Sequence, residues 1–169
     1  AEVSADFAPY PGGEVDALRE RLEDCVSQLD YSYLNSALEH PTDENLARWI
    51  SQNIGVPGIQ RVAIQSTGTQ GVDLDRNGNA HLWRRFRFQS AHQLPNVPPG
   101  HKCGRMHGHG FEVILHANQD LKGCDIGIDY DNLEAIWAPF QAQLNFNCLN
   151  EIDGLSNPTS ENLAAWIWA

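Results

Sequence analysis

Apolar residues recur at helical spacing in two separate stretches of the chain. The first stretch carries Val15, Leu18, Leu22, Cys25, Val26 and Leu29, and the second carries Leu133, Ile136, Trp137, Phe140 and Leu144. Each pattern predicts one amphipathic helix of about four turns. A second helix is predicted after each of these, with Thr42 or Thr159 as its N-cap directly behind a proline.

Elsewhere the apolar residues follow the period of two that is typical of β-strands. Residues 59–67 and 70–74 predict a hairpin, and residues 82–92 and 107–117 predict two longer strands. The apolar faces of these longer strands also carry three histidines. They are His92 on the earlier strand, and His107 and His109 on the later one.

The chain also repeats itself. Residues 29–35 match residues 144–150, and residues 41–50 match residues 158–167 in the same order. We therefore predict an α+β fold of two incomplete strand-strand-helix-helix-strand-strand copies. The first copy is 1–74 without its opening strand, 75–80 is a linker, and the second copy is 81–169 without its closing strands. Because incomplete copies leave strand edges unpaired, we expect a homo-oligomer with composite sites at its interfaces.

Composition excludes several classes of partner. A net charge of −11 argues against nucleic acid, because affinity for the phosphate backbone is built from clustered Lys and Arg. No apolar run approaches the roughly 18 residues that span a bilayer, and the first residues do not resemble a signal peptide, so we expect a cytoplasmic protein. Its cysteines, Cys25, Cys103, Cys124 and Cys148, lack paired spacing, which favours free thiols.

The three histidines predict a zinc site. Neutral imidazole is a ligand suited to Zn²⁺, and three protein ligands leave a fourth position open, as in catalytic zinc sites. Cys103 precedes His107 by a short loop, between Lys102 and Arg105. Nearby cations and a metal favour its reactive thiolate form, although a thiolate could instead be the fourth ligand of a closed structural site.

Cationic or titratable residues gather around the histidines in the sequence. They are Arg84, Arg85, Arg87, His101, Lys102 and Arg105. Two interpretations stay open from the pattern alone, a solvated strand edge or a pocket for a small polyanion such as a phosphorylated metabolite.

Residues 88–95 and the Cys103-x-x-x-His107-Gly108-His109 motif closely resemble the 6-carboxytetrahydropterin synthase and 6-pyruvoyltetrahydropterin synthase family, as do residues 127–130 and 157–162. The resemblance covers residues 81–169 well and residues 14–74 more loosely. It implies a tunnelling fold, in which antiparallel sheets form a barrel with the helices outside. The spacing of Cys103 from His107 resembles the carboxy branch of the family, which belongs to queuosine biosynthesis.

The resemblance also implies roles for individual residues. His92, His107 and His109 would bind Zn²⁺, and Cys103 would be the general base. The substrate would be 7,8-dihydroneopterin triphosphate, and the product 6-carboxy-5,6,7,8-tetrahydropterin. Lys102 and Arg105 are our assignment for the triphosphate, and Glu161 is either a substrate contact or a partner of the helix dipole.

The chain departs from the family pattern at two places. An Asp-His pair is the family's second acid/base group, and this chain has Asp30-Tyr31 in one copy and Asn145-Phe146 in the other. Asp30 is therefore the remaining catalytic candidate. Gln65 stands where the family has the glutamate that holds the pterin ring. The alternatives are a 6-pyruvoyltetrahydropterin synthase-like enzyme, or a zinc- and pterin-binding homologue with weakened or lost turnover.

Overall fold

A computed structural model of the chain describes residues 1–7, 12–119 and 128–169. The strands are β1 (Glu2–Ala5), β2 (Ile59–Thr67), β3 (Gln70–Asp75), β4 (Ala80–His92) and β5 (His107–Gln119). The helices are α1 (Glu14–Ser27), α2 (Asp43–Asn53), α3 (Tyr130–Leu144) and α4 (Ser160–Trp168). Short 3₁₀ turns lie at Leu34–Ser36, Lys102–Gly104 and Leu149–Glu151. The α+β prediction is confirmed.

The strands lie in one sheet in the order β1-β2-β3-β4-β5, and the pairs from β1 to β4 are antiparallel. The chain divides into two compact units. The first unit comprises residues 1–84 and 115–130, and the second comprises residues 85–114 and 131–169. Strands β4 and β5 each pass from one unit into the other. The division into copies at 1–74 and 81–169 stays a prediction.

In the first unit, α2 packs against β2 and β3, and α1 contacts α2. The apolar face of α2 buries Ala47 and Ile50. Val62, Val72 and Leu74 are buried on the sheet strands, which alternate apolar and polar side chains. Cys25 is also buried, and burial raises the pKa of its thiol.

The segment predicted as a linker, 75–80, forms the tight turn that joins β3 to β4. Asp75 accepts hydrogen bonds from the backbone N–H groups of Asn77 and Asn79, at 2.8 and 2.9 Å. The Asn79 side chain donates to the same carboxylate at 2.9 Å. These donors lower the pKa of Asp75 to about 2, the Asn79 side chain most of all. The turn is thus closed by hydrogen bonds to an ionised carboxylate.

In the second unit, aromatic side chains of β4 and β5 form the core with α3. The rings of Phe88 and Phe111 stack with centroids 4.9 Å apart, and Phe86 stacks on Trp137 at 5.2 Å. Leu144, the last residue of α3, is also fully buried. The apolar faces that were predicted from the period of two therefore exist, and the histidines share them.

Both predicted threonine caps are present. The Thr42 side chain accepts from the backbone N–H of Asn45, and the Thr159 side chain accepts from that of Asn162. The short strand β1 was not predicted from the sequence. It is defined by its antiparallel pairing with β2, in which Val3 lies opposite Val62. No helix in the described part of the chain is long and apolar enough to cross a membrane.

Candidate metal centre

Three imidazoles converge at the ends of β4 and β5 in the second unit. His92, the last residue of β4, is buried, whereas His107 is half-buried and His109 exposed. The ring centroid of His92 lies 4.7 Å from that of His107 and 4.9 Å from that of His109. One nitrogen from each ring lies within 4.8 Å of the others. The structure thus brings together the three residues predicted as metal ligands.

Each of the three rings is oriented by a backbone carbonyl. Nδ1 of His92 lies 3.0 Å from the Pro158 oxygen, Nδ1 of His107 lies 2.8 Å from the Arg105 oxygen, and Nδ1 of His109 lies 3.0 Å from the Gly110 oxygen. A carbonyl can only accept, so each Nδ1 carries the hydrogen. A neutral ring of this tautomer leaves the lone pair on Nε2 free for a metal.

The free nitrogens point into a common space. Nε2 of His92 lies 3.0 Å from Nε2 of His109. If both rings donate through Nδ1, two lone pairs face each other at this distance, and a shared cation removes their repulsion. Zinc accepts neutral imidazole nitrogens at about 2.0–2.1 Å. The donor set therefore fits a zinc ion that is bound by these three side chains.

Burial keeps the central ligand neutral. Desolvation lowers the pKa of His92, and the neighbouring His107 and His109 lower it further, while the hydrogen bond to Pro158 acts in the opposite direction. The ring of Phe111 packs against two of the histidines, with its centroid 4.1 Å from that of His109 and 5.5 Å from that of His92. A neutral imidazole that packs against an apolar ring can bind a metal ion through its free nitrogen.

Cys103 lies in the 3₁₀ turn Lys102–Gly104, and its side chain is half-buried and free. Its backbone N–H donates to Nδ1 of His101 at 3.1 Å, and its carbonyl accepts from the N–H of Leu94 at 2.8 Å. The second bond ties the loop to the chain just after His92. Among the described residues, the group of possible metal ligands contains the three histidines and not this thiol.

Three arginines that precede His92 on β4 contact groups other than the histidines. Arg87 and Arg85 both face Glu112, with N···O distances of 2.6 and 3.7 Å. Their positions in β4 alternate with that of His92, so they lie on the opposite face of the sheet. Arg84 donates to the carbonyl of Tyr130 at 3.0 Å. Arg85 and Arg87 therefore pair with Glu112 on the face of the sheet that does not carry the histidines, and their strand lies between β3 and β5.

The remaining predicted residues are found as follows. Lys102 and Arg105 are exposed beside Cys103, and Arg105 also supplies the carbonyl that orients His107. Glu161 is exposed in the first turn of α4, where hydrogen bonds from its own N–H and from Thr159 lower its pKa. Asp30 and Gln65 are exposed and belong to the first unit. The roles of these residues in a site stay predictions.

Sequence reasoning missed the groups that orient the ligands. The carboxylate of Asp129, in the 127–130 motif, accepts instead from the backbone N–H of Tyr130, the first residue of α3, at 2.6 Å. The carbonyls that do orient the rings have no sequence signature, because every residue has one. Two residues named in the sequence analysis lie outside the described residues. They are Cys124, which was predicted to be a free thiol, and Gly127, the first residue of the 127–130 motif.

The fold and the site define an α+β protein with a group of three histidines that could hold a metal ion. Residues 81–169 match the family model described as 6-pyruvoyl tetrahydropterin synthase. The chain belongs to this family.

Three known proteins are similar to parts of this chain. The chain is similar to the 6-carboxy-5,6,7,8-tetrahydropterin synthase of Synechocystis sp., with 39% identity over 94 residues, which is 52% of this chain and 71% of the relative. It is 33% identical over 63 residues to the dihydroneopterin monophosphate aldolase of Pyrococcus furiosus, covering 34% of this chain and 55% of that one. The solved 6-pyruvoyl tetrahydropterin synthase of Caenorhabditis elegans aligns with 20% identity and a TM-score of 0.43, over 53% of this chain and 74% of that one.

Proposed function

We propose that this protein is a zinc-dependent 6-carboxy-5,6,7,8-tetrahydropterin synthase that acts on 7,8-dihydroneopterin triphosphate. The observation that carries the proposal is the convergence of His92, His107 and His109, each held by a backbone carbonyl so that Nε2 is free. Membership of the family and the similarity to the Synechocystis enzyme support the choice of reaction.

A zinc ion held by His92, His107 and His109 would act as a Lewis acid towards oxygens of the substrate side chain. The burial of His92 beside the ring of Phe111 favours the neutral form of that imidazole, so this ring would leave the charge of the ion uncompensated. Cys103 takes the proton from the substrate carbon as general base. Its place outside the ligand group leaves the thiol available for this task.

Charged side chains near the thiol suit a phosphorylated substrate. Lys102 and Arg105 are exposed on both sides of Cys103, where the local loop brings cationic groups next to the reacting thiol. We assign them to the triphosphate, because charge-assisted hydrogen bonds to phosphate are the strong ones. Gln65 and Glu161 are our candidates for the pterin ring, and Asp30 is the candidate for a second acid/base group.

A second candidate function rests on the positions of the missing Asp-His pair. Tyr31 and Phe146 both have positive φ, 51° and 59°, and both side chains are exposed. Neither ring can exchange a proton as an imidazole does near neutral pH. This favours, as the alternative, a zinc- and pterin-binding homologue whose turnover is weakened or lost.

One experiment tests the proposal. The purified protein is analysed for zinc and incubated with 7,8-dihydroneopterin triphosphate, and the pterin products are separated by chromatography. The variants are Cys103→Ala and, as the control, Cys148→Ala, another half-buried free thiol in the same unit. We expect 6-carboxytetrahydropterin from the wild type and from Cys148→Ala, and none from Cys103→Ala with its zinc retained.

The other outcomes are equally decisive. Bound zinc without product in any variant supports the binding homologue, and a 6-pyruvoyl product supports the other branch of the family. Loss of zinc in Cys103→Ala would mean that the thiol is a ligand of a structural site. A wild-type protein that binds no zinc would contradict the metal assignment itself.

A further inference from the structure

The carbonyl that orients His92 comes from a loop far away in sequence. Pro158 is fully buried, and its oxygen lies 3.0 Å from Nδ1 of His92. The loop that carries it runs from the 3₁₀ turn Leu149–Glu151 to the start of α4 at Ser160. The geometry of the central metal ligand therefore depends on how firmly this loop is held.

Asn150 holds the beginning of the loop to the end of β4. Its Oδ1 accepts from the backbone N–H of Gln93 at 2.8 Å, and its Nδ2 donates to the Gln93 carbonyl at 2.9 Å. The same Nδ2 donates to the Ser156 carbonyl at 3.2 Å. Gln93 directly follows His92 in the chain. One half-buried side chain thus joins the ligand's own strand to the loop that supplies the orienting carbonyl.

Asn162 holds the end of the loop. Its Nδ2 donates to the Asn157 carbonyl at 2.8 Å, and the backbone N–H of Thr159 donates to that same carbonyl at 2.9 Å. The backbone N–H of Asn162 donates to Thr159 Oγ1 at 3.3 Å. These bonds fix the peptides on both sides of Pro158. Its carbonyl is left to accept from His92.

We propose that Asn150 and Asn162 are positioning residues for the metal ligand His92. Neither touches the metal in this scheme. Asn150 acts through Gln93, and Asn162 acts through Asn157 and Pro158, so together they keep the Pro158 oxygen on Nδ1 and the Nε2 lone pair towards the ion. The inference rests on the proposed metal centre. Groups that fix the tautomer and direction of a ligating histidine commonly change metal affinity by about 10- to 100-fold.

The first unit contains a matched control. Asn45 Nδ2 donates to the His40 carbonyl at 2.8 Å, the N–H of Thr42 donates to the same carbonyl at 2.9 Å, and the N–H of Asn45 donates to Thr42 Oγ1 at 3.4 Å. The start of α2 thus has the same three bonds as the start of α4, with Asn45 in the place of Asn162. The one group of possible metal ligands among the described residues contains no residue from this part of the chain. Asn45→Ala therefore removes the same helix-start bonds at a place where they do not position a candidate metal ligand.

The experiment compares Asn162→Ala, Asn45→Ala and Asn150→Ala in the full chain. Zinc dissociation constants are measured by competition with a chelating dye at fixed pH, and thermal unfolding is recorded in the presence of excess chelator. We expect similar loss of thermal stability in Asn162→Ala and Asn45→Ala. The zinc affinity should fall about three- to tenfold in Asn162→Ala and about tenfold or more in Asn150→Ala. In Asn45→Ala it should stay within about twofold of the wild-type value.

A second measurement does not need the metal. Two-dimensional ¹⁵N NMR of the metal-free protein reports which ring nitrogen of His92 carries the hydrogen. We expect the Nδ1–H form in the wild type and in Asn45→Ala, and a mixture of both forms in Asn162→Ala and Asn150→Ala.

Equal zinc affinity in Asn162→Ala and Asn45→Ala, with the Nδ1–H form of His92 kept in both, would overturn the inference. If the wild type binds no zinc, the proposed function fails, while the NMR comparison still decides whether the asparagines position His92. The two failures are therefore distinguishable.

Discussion

Two stretches of this chain, residues 29–54 and 144–168, have the same local structure but different chemistry. Each contains a residue with positive φ, a 3₁₀ turn, and a helix capped by a threonine after a proline. The helix-start hydrogen bonds agree to within 0.1 Å, as those of Asn45 and Asn162 to a carbonyl five residues earlier show. In the described chain, only the second stretch belongs to the unit that brings His92, His107 and His109 together.

The two stretches also differ in packing. Leu144 and Leu149 are fully buried, whereas the matching Leu29 is 9% exposed and Leu34 is only half-buried. The buried hydroxyl of Ser90 donates to the carbonyl of Leu144 and so joins the second stretch to β4. Turn and cap residues thus set the same local backbone in both stretches, while the second stretch is in addition packed tightly against the strand that carries His92.

The first prediction concerns the ligands themselves. In His107→Ala the zinc affinity should fall about 1,000-fold or more, because structural zinc binding of about 10–16 kcal/mol is shared among three or four ligands. The measurement is zinc content after dialysis, followed by chelator competition.

His40→Ala is the control from the first stretch, where the described structure has no group of possible metal ligands. It should keep the zinc. Equal loss of zinc in both variants would contradict this prediction, since it would mean that the first stretch also takes part in metal binding.

The second prediction concerns packing. Leu144→Ala should lower the free energy of unfolding by about 3–5 kcal/mol, because Leu144 is 0% exposed and its removal leaves a cavity. Leu29→Ala, at the matching and slightly exposed position, should cost about 2–3 kcal/mol. Urea unfolding of both variants measures the difference, and a larger loss in Leu29→Ala would contradict the ranking.

Much of this architecture is accessible from the sequence, and the reason is local. Thr42 and Thr159 predict the starts of their helices, because a hydroxyl at the N-cap accepts from a backbone N–H that has no partner within the helix. The period of two places His92, His107 and His109 on apolar faces because side chains alternate along a strand.

What the sequence does not reveal depends on distant partners. β1 is a short strand whose existence rests on its pairing with β2, and the carbonyl of Pro158 reaches His92 across 66 positions of the chain. Arg85 and Arg87 appear close to the histidines in sequence, yet strand alternation and Glu112 place them on the other face. Backbone acceptors and ion-pair partners of this kind leave no pattern that a linear sequence displays.

The third prediction asks which stretch can supply the missing acid/base group. Tyr31→His recreates an Asp-His pair at positions 30 and 31 with one substitution, whereas Asn145→Asp with Phe146→His recreates it in the second stretch. General acid/base groups contribute about 100- to 10,000-fold, so even a poorly placed pair should raise kcat by about tenfold or more.

Steady-state kinetics with 7,8-dihydroneopterin triphosphate would show which variant gains activity, with Tyr33→His, another exposed tyrosine of the first stretch, as the control. A gain in one stretch alone would identify the stretch whose pair the site uses. No product from the wild type and none from either variant would support the binding homologue instead of the enzyme.

The smallest predicted effect lies in the shared backbone geometry. Tyr31 and Phe146 have φ of 51° and 59°, a region that costs a residue with a Cβ about 1–2 kcal/mol, and glycine enters it freely. Tyr31→Gly should therefore be more stable than Tyr31→Ala by about 0.5–1 kcal/mol, since glycine's greater entropy in the unfolded chain offsets part of the relief. Phe146→Gly and Phe146→Ala should differ by the same amount, as measured by urea unfolding. Because both side chains are largely exposed, the glycine-alanine difference isolates the backbone contribution. A difference at one position and not at the other would show that the two stretches share a shape without sharing its energetic cause.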